Sequence, residues 1–170
     1  MVLIKGILFD WHGVLVESNG RDKERIDFIY NKLKNNTATK EEVIKIVTSY
    51  KKYEPLWEIL PILKKHLKMC VVNNGPKVTY DYWDKYYGYY DFMIFVNSEI
   101  EGVEKPQPEI YKIACERLGI RTDEVIYMDD CCGFPKETED LNMKFIHWET
   151  TDNGFRKFKD YLSSHTEIKL

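Results

Sequence analysis

The chain alternates between short, nearly continuous apolar runs and stretches with helical periodicity. Residues 2–9 (VLIKGILF), 69–72 (MCVV), 91–96 (DFMIFV), 124–128 (EVIYM) and 144–148 (KFIHW) each read as a strand. They lack the in–out alternation of a half-exposed sheet, as parallel strands covered on both faces do. Between them, residues 55–67 place Leu56, Ile59, Leu60, Leu63 and Leu67 on one helical stripe, with Pro55 in the first turn. Residues 108–120 repeat the pattern with Ile110, Ile113, Ala114 and Leu118, and Gly119 ends the helix. Such alternation predicts an α/β fold, a Rossmann-like doubly wound parallel sheet. One segment departs from it. Residues 17–52 hold two polar helical stretches, 21–34 and 40–52, and the second opens with a Thr39–Glu42 capping box. We expect a small helical cap over 17–52 and a core formed by 1–16 and 53–170.

Length and composition narrow this picture. With 170 residues, 44% of them hydrophobic, the chain can bury the core of one domain with a small insertion. A net charge of −3 gives no general attraction to nucleic acid or to a membrane surface. No apolar run approaches the ~20 residues of a membrane span. The apolar start is interrupted by Asp10 and reads as a strand, not a signal peptide. A cytoplasmic protein is expected, with Cys70, Cys115, Cys131 and Cys132 as reduced thiols in no zinc-binding spacing.

The polar residues gather at the strand ends. Asp10, Trp11 and His12 follow the first strand, and Asn73, Asn74 and Gly75 the second. Lys105 lies in the loop after the third, and Asp129 and Asp130 follow the fourth. In an open parallel sheet, ligands bind beyond the carboxyl ends of the strands, so these groups share one site. Three carboxylates, a lysine and amide donors suit phosphoryl transfer. A carboxylate attacks phosphorus, a hard cation held by oxygens offsets the repulsion, and fixed donors bind the remaining oxygens.

These segments resemble the motifs of the haloacid dehalogenase-like (HAD) superfamily, over nearly the whole chain. ILFDWHGVLVES matches the nucleophile motif, VVNNG the second, GVEKPQPEIYKIACERLGI the lysine motif and VIYMDD the acidic one. The resemblance implies a hydrolase, a Mg²⁺-dependent phosphatase acting on a phosphorylated small molecule as monomer or homodimer. It implies Asp10 as nucleophile, Lys105 as charge stabiliser, and Asn73, Asn74 and Gly75 as substrate donors. Asp10, the His12 carbonyl, Asp130 and Asp129 would hold the metal, Asp129 through water. Two residues depart from the pattern. His12 stands where the phosphatases carry an acid–base Asp, and Asn73 where Thr or Ser is usual. A neutral His, with an ordinary pKa near 6.5, has the chemistry for both proton transfers. The alternative is a catalytically impaired binding or regulatory protein on the same fold.

Three further features carry plainer readings. The segment 80–92, with six Tyr and a Trp, is read as a packed helix and turn and not as a base-stacking surface. His66, His147 and His165 are read as surface or packing residues away from the site, and the tail 163–170 as frayed.

Overall fold

The computed structural model describes residues 3–18, 23–131 and 135–170; the Cys131–Cys132 pair is therefore described at Cys131 only. In chain order the elements are β1 (Gly6–Phe9), β2 (Val16–Ser18), α1 (Lys23–Lys34), α2 (Lys40–Val47), β3 (Tyr50–Lys52), α3 (Glu54–Leu63) and β4 (Lys68–Asn73). There follow α4 (Lys77–Tyr87), β5 (Ile94–Asn97), α5 (Ser98–Glu101), α6 (Pro108–Leu118), a 3₁₀ turn (Thr122–Glu124) and β6 (Val125–Asp129). The chain closes with α7 (Pro135–Asp140), β7 (Lys144–His147) and α8 (Asp152–His165).

The large sheet is parallel throughout, in the order β5-β4-β1-β6-β7. The chain first builds outward from β1 to β4 and β5, then returns to place β6 on the other side of β1. That reversal opens a crevice at the carboxyl end of β1, where Asp10 sits. Side chains alternate across the sheet. Ile7, Phe9, Met69, Val71, Ile126 and Met128 face a core shared with α3, α4 and α8. Leu8, Cys70, Val72, Val125 and Tyr127 face the layer of α6.

The inserted helices are not free-standing. Ile29, Leu33, Val43, Ile46 and Val47 join the same core as Trp11, Trp57, Trp83 and Tyr87. The Tyr87 hydroxyl lies 2.7 Å from the Val47 carbonyl and 2.8 Å from that of Tyr50. The tyrosine-rich segment thus packs: Trp83, Tyr87 and Tyr89 are buried, and Gly88 turns the chain at φ +67°. The capping box forms as read, with Thr39 and Glu42 exchanging hydrogen bonds.

Several ends shift by up to four residues, as β1 begins at Gly6, β5 at Ile94 and α3 stops at Leu63, and two larger expectations fail. Residues 48–52 are not helical. α2 stops at Val47, and Tyr50–Lys52 pairs antiparallel with Val16–Ser18. The aromatic Tyr50 suits an extended strand, and β2 offers it a ladder that the isolated sequence does not show. The tail is not frayed either: Ser163–His165 complete α8, and Ile168 is buried in the main core.

Candidate active site

The crevice is a cavity of about 700 Å³ lined by Asp10, His12, Gly13, Glu17, Tyr50, Asn73, Asn74, Lys105, Asp129, Asp130, Cys131 and Thr150. Its deepest wall is the turn after β1. Trp11 is fully buried, its ring edge-on to Tyr87 and Tyr89 and tilted against Trp83 and Phe95, so the turn is nailed to the core. The Trp11 carbonyl accepts from Leu15 and Val16, and the Gly13 amide donates to the Val16 carbonyl. The Thr150 hydroxyl donates to the Gly13 carbonyl at 2.8 Å. Gly13 has φ +83°, and a Cβ there would stand 2.2 Å from Asp130 Oδ2. Only glycine gives both the left-handed turn and the room for that carboxylate. Gly13→Ala is expected to displace Asp130 and, where Asp130 serves a cation site, to weaken Mg²⁺ binding about tenfold or more. An unchanged magnesium titration would refute this.

Lys105 is the hub. Its Nζ lies 2.8 Å from Asp10 Oδ1 and 2.9 Å from Asp129 Oδ2. The backbone of Lys105 is clamped by one side chain: Asn74 Nδ2 donates to its carbonyl at 2.9 Å, and its amide donates to Asn74 Oδ1 at 2.8 Å. Asn74 therefore spends its amide group on the Lys105 loop. The Gly75 amide donates to Ser98 Oγ at 3.2 Å. Asn73 differs: it is 1% exposed, and its Nδ2 has no hydrogen-bond partner among the described residues. A buried donor in this state costs free energy until something accepts from it, and an anionic oxygen in the cavity would do so.

The site is short of positive charge. One oxygen from each of Asp10, Asp129 and Asp130 lies within 4.8 Å of the others. Burial pushes the Asp10 carboxyl up to about 6; Lys105 opposes the rise and Asp129 adds to it. Asp130 is also held above the usual carboxylate range, by burial and then by Asp129. For Lys105, burial pulls downward, but the charges of Asp10 and Asp129 outweigh it and raise its pKa. On Asp10, Lys105 and the Trp11 amide both bind Oδ1, leaving Oδ2 turned to other partners. A hard, oxygen-seeking dication fits this donor set.

The family model described as haloacid dehalogenase-like hydrolase matches residues 23–132, well over half of the chain. The chain belongs to the HAD-like hydrolases. The matched span includes Lys105, Asp129 and Asp130 and begins after Asp10. A curated relative, bifunctional epoxide hydrolase 2 of Sus scrofa, is 34% identical over 71 residues, which is 42% of this chain and 12% of that protein. Among solved structures, the HAD family enzyme bt-2542 of Bacteroides thetaiotaomicron superposes with TM-score 0.72 at 16% identity, covering 92% of this chain and 98% of that one. The wild-type bt-2542 complex with magnesium and inorganic phosphate gives 0.69, at 16% identity and 88% and 96% coverage. A HAD phosphatase from Thermococcus onnurineus gives 0.74 at 15% identity, covering 97% and 100%. At these identities the superpositions speak for the HAD fold.

Asp10, His12, Asn73, Asn74, Lys105, Asp129 and Asp130 line the one cavity; Gly75 lies just behind it, against Asn73. The His12 ring is held against Tyr50, with centroids 4.5 Å apart, and edge-on to Trp83 at 5.5 Å. One histidine reading is corrected. His147 is not remote: its Nε2 lies 3.0 Å from the Asp130 carbonyl, because β7 pairs with β6 and ends beside it. Glu17, Tyr50 and Thr150 were not foreseen. Thr150 follows the fifth sheet strand, so the strand-end rule pointed at it. Tyr50 had no such signal, since its place depends on the β2–β3 pairing. Among the described residues, no helix is long and apolar enough to cross a membrane.

Proposed function

We propose that this HAD-like hydrolase is a Mg²⁺-dependent phosphatase that cleaves a phosphate monoester through an aspartyl-phosphate on Asp10. The observation that carries the reading is Lys105, held between Asp10 and Asp129 with Asp130 alongside, at the carboxyl end of β1. Asp10, Asp130 and the His12 carbonyl would hold Mg²⁺, with Asp129 behind them. When bound, the cation supplies charge neutralisation between the nucleophile and the anionic substrate.

The chain's own residues account for the rest. Lys105 and the Trp11 amide bind Asp10 Oδ1 and leave Oδ2 to attack phosphorus. The bond from phosphorus to the ester oxygen breaks as the bond to Oδ2 forms, and the leaving alcohol takes a proton. His12, two residues on, gives it, and in neutral form accepts a proton from the water that then hydrolyses the acyl phosphate. Asn73 Nδ2 donates to a phosphoryl oxygen. In the resting chain the charges of Asp10 and Asp129 hold the Lys105 proton, and Asp129 remains its partner once Asp10 is phosphorylated. The small cap leaves the cavity open, so the alcohol portion lies along Tyr50, Glu17 and Thr150. The free thiols of Cys70, Cys115 and Cys131 suit a reducing cytoplasm.

A panel of phosphate monoesters, assayed with and without Mg²⁺, tests this reading. Turnover of at least one member that vanishes in EDTA supports it; no turnover by the folded protein defeats it. That second outcome belongs to a rival reading, a phosphate-binding protein on the same fold. The packing of the His12 ring against Tyr50 and Trp83 favours the rival, since a ring so held serves as core filler as well.

Metal binding should depend on pH in a stated direction. Asp10 must be ionised to hold a dication, and in the folded chain it ionises at about 6. Below that value a proton competes with the metal. Apparent Mg²⁺ affinity is expected to weaken about tenfold between pH 7.5 and pH 5, one decade for each unit below the pKa. Calorimetric titration at the two pH values checks it; equal affinities would remove Asp10 from the metal site.

A further inference from the structure

Asp129 is the most thoroughly engaged carboxylate in the cavity. Its Oδ2 accepts from Lys105 Nζ at 2.9 Å and from the Tyr127 hydroxyl, and its Oδ1 accepts from the Cys131 amide at 2.8 Å. Both Asp129 and Tyr127 are buried, at 1% and 0% exposure. They are two residues apart on β6, so they project from the same face of the sheet, toward α6. There the Tyr127 ring lies between Tyr111, at 5.0 Å, and Phe145, at 5.8 Å. Nothing about phosphate hydrolysis requires a phenol at this place, and an apolar residue would fill the layer equally well. What the phenol adds is one hydrogen bond, aimed at a carboxylate of the site.

We propose that Tyr127 is a positioning residue: its hydroxyl, with Lys105, keeps Asp129 turned toward the lysine and away from the cation. The three carboxylates then have separate duties. Asp10 and Asp130 face the metal, and Asp129 fixes Lys105 against Asp10. The hydroxyl donates to Asp129 Oδ2, and both groups are buried. An oxygen that accepts from an ammonium and a hydroxyl has both lone-pair directions occupied, and its charge is partly drained by them. Without the hydroxyl, Oδ2 regains one lone pair beside Asp10 and Asp130, and the cluster becomes more attractive to a dication.

Tyr127→Phe isolates this hydrogen bond, because it preserves the ring between Tyr111 and Phe145. Mg²⁺ titrated by calorimetry into the metal-stripped full chain is expected to bind the variant roughly three- to tenfold more tightly, part of the value of a hydrogen bond to a charged group. Hydrolysis should move the other way, with kcat down about tenfold as Lys105 loses its fixed anchor. The rate arm rests on the phosphatase reading; the calorimetric arm does not. Phe145→Leu loosens the same ring layer but keeps the hydroxyl, and should leave Mg²⁺ affinity within about twofold of wild type. Equal Mg²⁺ affinity in wild type and Tyr127→Phe would overturn the proposal, as would an equal shift in Phe145→Leu. If the wild type hydrolyses nothing yet Tyr127→Phe still binds Mg²⁺ more tightly, the phosphatase reading falls and the role of Tyr127 stands.

Discussion

Asp10→Asn is expected to abolish Mg²⁺-dependent hydrolysis, by on the order of 10⁵-fold, while leaving a chain that is at least as stable without metal as the wild type. In the proposed phosphatase mechanism, the rate loss follows from removing the covalent nucleophile, whose loss takes with it most of the chemistry its neighbours support. The stability gain without metal follows from the electrostatics of the three carboxylates. Asp10 ionises at about 6 in the folded chain, against 3.8 for a free aspartate. A raised carboxyl pKa means that folding favours the protonated form. The group's contribution is therefore fully present below about 4 and is lost as pH rises through about 6. At neutral pH the ionised side chain therefore costs the fold free energy, because burial disfavours its charge. Asparagine bears no such charge, and Lys105 keeps Asp129 as its partner at 2.9 Å. Thermal melts in EDTA should show the variant gaining on the wild type as pH rises from 4 to 6.5. Adding Mg²⁺ at pH 7.5 should reverse the order, since in the proposed site Asp10 is one of the cation's ligands. A variant that hydrolyses as fast as the wild type would end the phosphatase reading. A variant less stable than wild type across the whole pH range would show that the Asp10–Lys105 pair outweighs the cost of burial.

The central strands of the large sheet were legible because β1, β4 and β6 are buried on both faces and so read as apolar runs, whereas the edge strand β7 is only partly covered. The sites at their carboxyl ends were legible for the same reason: each run stops at a polar residue, as at Asp10, Asn73 and Asp129. What could not be read depends on partners distant in sequence. Tyr50 continues a helical pattern locally, yet it lies in a strand because Ser18 is opposite. Ile168 sits in a polar tail and is buried because α8 carries it back to the core. That the Asn74 amide clamps the Lys105 backbone from 31 residues away has no local signal in the sequence. Tyr127 reads as one more apolar position in a buried strand. Its hydroxyl matters only once Asp129 is placed two residues on, with Lys105 across from it.

In the phosphatase reading proposed above, His12 carries both proton transfers, and its surroundings make the test sharp. His12→Ala is expected to lower the rate by about 10²–10⁴, the usual contribution of general acid–base help. Added imidazole should recover part of that loss, because the alanine leaves a space bounded by Tyr50 and Trp83, whose rings lie 4.5 and 5.5 Å from the native imidazole. His12→Asp places the acid of the family's phosphatases at the same position and is expected to exceed His12→Ala by at least tenfold. It also adds a fourth carboxylate to a cluster already crowded within 4.8 Å, so its metal-free stability should fall as pH rises. The outcomes separate two roles. A proton-transfer role predicts an alanine variant with lost turnover, imidazole rescue and unchanged Mg²⁺ affinity, since the His12 backbone carbonyl remains. A packing role predicts that alanine lowers the melting temperature by the loss of two ring contacts, leaves the pH profile in place and shows no rescue. In the second case water completes both proton transfers unaided, and the chain is a slow enzyme whose site is built chiefly to hold a phosphorylated ligand.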